Sequence, residues 1–151
     1  MAKELIAVLN ELEEAGSDAA ATLHRAAENA RSPSLRATFE EHTTVLRRIC
    51  QELQDLVVEW NETPAESGTS AGALRRGFAT MRDALAGPDD AQLLAECMRS
   101  IEHAEPLYRA ASITVEPEPT KALLAKHSLQ LQSLRADLAS LLKAFSAPPG
   151  A

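Results

Sequence analysis

An all-α four-helix bundle is the fold this chain predicts, and three observations carry the prediction. Apolar residues recur at spacings of three and four through four long segments, and no segment sustains the period-two alternation of a strand. Only 3% of residues are aromatic against an apolar share of 45%, so the core must be built from Leu, Ala, Ile and Val, a mixture that suits helices. Pro, Gly and Ser gather mainly between the periodic segments.

The first helix is expected over about residues 2–31, with a stripe of Leu5, Leu9, Leu12, Gly16, Ala19, Leu23, Ala26 and Ala30. The middle of that stripe is so small that something bulky must approach it. "RSPSL" opens the second helix, expected over 33–60, with Ser32 as cap and Pro33 in the first turn, where its missing N–H costs nothing. Leu35, Phe39, His42, Leu46, Ile49, Leu53, Leu56 and Trp60 then follow at steps of three and four, which predicts one inward seam with His42 as its polar member.

"NETPAESGTSAG" reads as a loop, and a short amphipathic helix over about 71–86 carries Leu74, Phe78, Met81 and Leu85 on one face. The third long helix, about 89–111, starts near Asp89 and turns Leu94, Cys97, Ile101, Ala104, Tyr108 and Ala111 inward. After the proline-containing break "SITVEPEPT", the fourth helix, about 119–145, sets Leu124, His127, Leu131, Leu134, Leu138, Leu141 and Phe145 along its seam. A single domain over 1–146 with a flexible tail over 147–151 is the simplest organisation for 151 residues.

Charge and composition exclude several function classes. A formal charge of −7 opposes a phosphate-tracking surface, so neither nucleic acid nor an anionic membrane is expected as a partner. No run approaches the ~20 apolar residues that cross a bilayer, and "MAKELIAVLNELEE" turns acidic too soon for a signal peptide. Cys50 and Cys97 lack CxxC spacing and read as reduced thiols, which fits a bacterial-type cytoplasmic location.

The stretch "ETPAESGTSAGALRRGFATMRDALAGPDDAQLLAEC", followed by "EPLYRAA", resembles a bacterial ferritin-like four-helix-bundle family described as a domain of unknown function. Its carriers are Arg76, Gly77 and Phe78, the pair Glu96 and Cys97, and Tyr108, and the likeness is strongest over residues 62–111. The resemblance implies a ferritin-like bundle whose second and third long helices are joined by a crossover containing the short helix. The chain departs from related sequences at Ile101, where a second acid is usual, and at Pro106.

A ferritin-like di-metal centre needs a Glu from each of two helices and Glu-x-x-His from each of the others. Three residues after each glutamate there is no histidine: Glu96 reaches Arg99, and Glu102 reaches Glu105. With Ile101 inward, Glu105 is expected at the edge of the buried face, and Glu96, Glu102 and His103 toward water. If a metal site exists, its candidates are His42, Glu96, Glu105 and His127. Under a crossover topology the two histidines should lie roughly 10–15 Å apart along the bundle, too far for one mononuclear site.

His24 and Glu28 are expected as a surface pair, Cys97 as a small buried hydrophobe, and Cys50 at the flank of its seam. No Ser-His-Asp or Cys-His nucleophile arrangement is present. The sequence therefore predicts a non-enzymatic bundle without a cofactor, working through self-association, as a dimer for instance, or through a protein partner. Two alternatives stay open: a di-metal carboxylate protein handling iron or oxygen, with iron or manganese on an atypical ligand set, and a bundle whose waist at Gly16 and Ala19 admits a small apolar ligand.

Overall fold

The computed structural model describes residues 2–60 and 89–146; the short helix expected over 71–86 and the tail 147–151 lie outside those residues. Four helices account for nearly all of the described chain: α1 (Ala2–Asn29), α2 (Pro33–Glu59), α3 (Asp90–Thr114) and α4 (Glu118–Ser146). Their boundaries follow from local chemistry. Ser32 caps α2 by accepting from the Leu35 N–H, with Pro33 in the first turn. Asp89 and Gln92 form a reciprocal capping box at the start of α3.

The chain direction is fixed by the Asp90 carboxylate, which accepts from the Arg31 N–H at 2.8 Å and the Ser32 N–H at 3.0 Å. The start of α3 therefore sits at the α1–α2 turn, whereas the 27 residues of α2 end about 40 Å away at the opposite pole. Consequently α2 and α3 run parallel, with the end of α2 and the start of α3 at opposite poles of the bundle. That is the crossover the resemblance implied.

The core contains nearly every residue of the predicted seams of α1 and α3, together with Leu35, Phe39, Leu46, Ile49 and Leu53 of α2 and Leu124, Leu131, Leu134 and Leu138 of α4. Two seams end differently from expectation. In α2 the fully buried residue of the last turn is Val57, while Leu56 is half-buried and Trp60 is exposed. In α4, Phe145 is exposed. A strict seven-residue pattern drifts by about 20° per heptad on a straight helix, so after three heptads the inward line has moved off the predicted positions.

Candidate functional site

The bundle's waist is built around Gly16. A methyl group there would lie 2.7 Å from the Tyr108 hydroxyl oxygen and 3.0 Å from Cys50 Sγ, so the absent side chain is what lets α3 and α2 project into the centre. Tyr108 is fully buried and donates its hydroxyl to the Leu12 carbonyl at 2.7 Å. The Cys50 thiol points to the Glu13 carbonyl at 3.7 Å. Burial pushes the Tyr108 phenol well above its ordinary value and the Cys50 thiol up to about 12, so both stay protonated at neutral pH. The bulky group the small stripe required is a tyrosine from the same chain. It fills the space beside Gly16, which counts against the apolar-ligand reading at that position. Cys50 is buried rather than flanking.

Beside Tyr108, at 6.0 Å between ring centroids and nearly edge-on, lies the fully buried ring of His127. Its Nε2 is 3.2 Å from Glu52 Oε1, and Lys126 Nζ is 3.6 Å from the other oxygen of Glu52. Burial lowers the His127 pKa, against a smaller opposing pull from Glu52, so the ring is neutral. A carboxylate only accepts, so Nε2 carries the proton and Nδ1 keeps a lone pair, which is buried without a hydrogen-bond partner.

His42 repeats the arrangement one level along the same two helices. Its Nε2 is 3.6 Å from Asp137 Oδ2, an electrostatic contact beyond hydrogen-bond reach, and burial again lowers its pKa. Glu52 is level with His127 and follows His42 by ten residues of α2, so the two histidines stand about 15 Å apart along the bundle. The separation agrees with the crossover expectation.

The acids of α3 depart from their predicted positions. Glu102 and His103 are exposed as expected. Glu96, expected in water, has a side chain only 13% exposed and pairs with Arg25 of α1 at 3.3 Å. Arg25 closes over it because α1 runs antiparallel beside α3, a neighbour no wheel of α3 alone can show. Glu105, expected at the edge, is fully buried; Oε1 meets the half-exposed Arg109 at 3.4 Å and Oε2 has no hydrogen-bond partner. His24 and Glu28 form the expected exposed pair at 3.6 Å.

Comparison with known proteins places this arrangement. Residues 4–113 match the family described as domain of unknown function DUF2383. The chain belongs to that family. Among solved structures it is similar to a Dps1 mutant from Mycobacterium smegmatis, at 15% identity and a TM-score of 0.73, covering 93% of this chain and 96% of that one. It is also similar to the bacterioferritin-related protein of Bacteroides fragilis, described as a dodecameric thioferritin, at 20% identity and a TM-score of 0.64, covering 97% of this chain and 93% of that one. The fold is ferritin-like. No curated protein matches the chain.

In this member of the DUF2383 family the four candidate ligands do not converge. His42 and His127 occupy different levels on the α2–α4 side, Glu96 is held by Arg25 on the α1 side, and Glu105 follows Glu96 by nine residues, about 13 Å along α3. Among the described residues, no group of three or more His, Cys, Asp or Glu is placed to hold a metal ion. The donor set therefore does not fit a di-iron or di-manganese centre.

Sequence reasoning named the histidines but missed Glu52, Asp137, Glu13 and Gln54. Gln54 donates to Glu13 Oε1 at 2.9 Å inside the α1–α2 interface. Nothing in the local pattern of these residues marks them, because each is selected by the register of a neighbouring helix. Cys50 and Cys97 are unpaired, as expected. Among the described residues, no helix is long and apolar enough to cross a membrane.

Proposed function

We propose that this protein is a non-enzymatic ferritin-like bundle that works through self-association, in a cytoplasmic setting where its thiols stay reduced. The observation that carries the reading is the waist: the space left by Gly16 is filled by Tyr108 and Cys50, with both protons held at neutral pH. A buried phenol hydrogen-bonded to a helix carbonyl rigidifies the core and offers no nucleophile. Self-association is supported by the similar Bacteroides fragilis protein, described as dodecameric, and by exposed large apolar side chains such as Ile113 and Leu129.

Native mass measurement together with metal analysis of the same sample tests the reading. A mass at a multiple of 16.2 kDa, with no stoichiometric iron or manganese after growth in supplemented medium, is the expected result. A monomer that carries stoichiometric metal would overturn it.

A further inference from the structure

The outward face of α4 is unusual for a bundle helix in contact with water. Ala122, Leu129, Ser133, Ala136 and Ser140 are all exposed, and at 100° per residue they fall within an arc of about 60° running most of the helix length. Between residues 122 and 140 the arc carries no charge, and Leu129 at its middle is 65% exposed. Charges appear only along its two borders. Lys126 and Asp137 mark one border, with side chains 56% and 60% exposed; Glu118 and Lys143, also exposed, mark the other.

The spacing of these charges selects a partner. Lys126 and Asp137 lie five and six residues from position 131, and Glu118 and Lys143 thirteen and twelve. When two identical helices pack antiparallel about a two-fold axis at that position, equivalent borders meet. Lys126 then faces Asp137 of the second copy, and Glu118 faces Lys143, each twice. Leu129 sits opposite Ser133, and Ala and Ser elsewhere allow close approach. A parallel two-fold pairing brings opposite borders together instead, and it leaves Lys126 about 12 Å along the axis from Glu118 and Asp137 about 9 Å from Lys143, so none of these charges is matched.

We infer that two copies of this chain pair antiparallel through the outer face of α4, about a two-fold axis at the level of Leu131. The pairing names the surface for the self-association proposed above and rests on that reading. It also links the buried histidines of both copies, since Asp137 already lies beside His42 and Lys126 beside Glu52. A single helix pair is at the small end of specific interfaces, so dissociation in the micromolar range is expected.

Sedimentation equilibrium of the full chain across a concentration series, with circular dichroism as the folding control, tests the surface. Leu129→Glu is expected to weaken association at least ~10-fold without loss of helicity, because it places two carboxylates in the apolar centre. Lys126→Asp is expected to weaken it as well, and the swap Lys126→Asp with Asp137→Lys to restore it to within a few-fold. Spin labels give a readout independent of these variants. Labels on Ser133→Cys should be offset by about 6 Å along the axis and labels on Ser140→Cys by about 27 Å, whereas any parallel pairing gives no axial offset at either site. Persistent association with Leu129→Glu unchanged would overturn the α4 pairing and leave self-association standing. A monomer at every concentration would overturn both.

Discussion

Replacing Gly16 by alanine places a methyl 2.7 Å from the Tyr108 oxygen and 3.0 Å from Cys50 Sγ, closer than packed atoms tolerate. Overpacking of this kind costs about 1–3 kcal/mol. Displacing the hydroxyl from the Leu12 carbonyl, now 2.7 Å away, forfeits about 1 kcal/mol more. Alanine's better helix propensity offsets about 1 kcal/mol. The net expectation is destabilisation by about 1–3 kcal/mol, read in urea unfolding followed by circular dichroism and as a fall in Tm of about 2–4 °C per kcal/mol. Tyr108→Phe removes the atom that clashes, and the ring carbon behind it would lie 3.8 Å from the new methyl, an ordinary contact. The double variant should therefore be less destabilised than the two singles added together, by at least about 1 kcal/mol. A Gly16→Ala protein as stable as wild type, or a double variant showing strict additivity, would refute the account of the waist.

The two buried histidines predict a pH dependence. Both folded pKa values lie below the ordinary 6.5, so the unfolded chain takes up protons first as pH falls; stability is full above about 6.5 and declines through and below it. His127→Gln should flatten the slope of the urea midpoint between about pH 7.5 and 5.5, and an unchanged slope in both His127→Gln and His42→Gln would contradict the assignment. Cys50 and Cys97 should resist a thiol reagent at about pH 8 in the native protein and react fully in denaturant, since both are buried with raised pKa values; rapid native labelling would refute their placement. Asp90→Ala should cost about 2 kcal/mol by releasing the Arg31 and Ser32 amides, measured by thermal unfolding. Glu105→Met should be neutral or stabilising, because the buried carboxylate has one oxygen without a partner and its apolar replacement needs none; a loss above about 1 kcal/mol would show that Glu105 has a partner in solution.

Much of the fold was legible because its determinants are periodic or local. The seam from Leu94 to Ala111 needs only the three-four step, and the start of α2 needs only Ser32 and Pro33. The crossover was implied by a family resemblance and is pinned by Asp90, whose role depends on a turn almost sixty residues earlier. The site was less legible for the same reason. Solvation of Glu96 could be judged from its own helix only by ignoring Arg25, and the burial of Glu105 depends on how closely its neighbours pack against α3. Partners of His42 and His127 follow from the α2–α4 register, which has no signature in either helix alone.

The helices divide into two physical kinds, and the division bears on function. α1 and α2 are the more one-sided pair: most apolar residues face the core and polar residues such as Glu11, Glu40, Arg47 and Asp55 face outward, although Glu13, Asp18 and His42 are buried and Val58 is exposed. α3 and α4 blur that distinction from both directions. They bring Glu105 and His127 into the core at a desolvation cost, and they leave Ile113, Ala122 and Leu129 on the outside with no core contact to repay their exposure. A helix that is apolar on its outer face gains from covering that face, and the charges bordering α4 are arranged so that another α4 covers it without placing like charges together. The outer face of α4, apolar and bordered by complementary charges, is therefore where assembly is best read. The ordinary half, α1 with α2, supplies the rigid frame and the Gly16 gap on which Tyr108 is anchored.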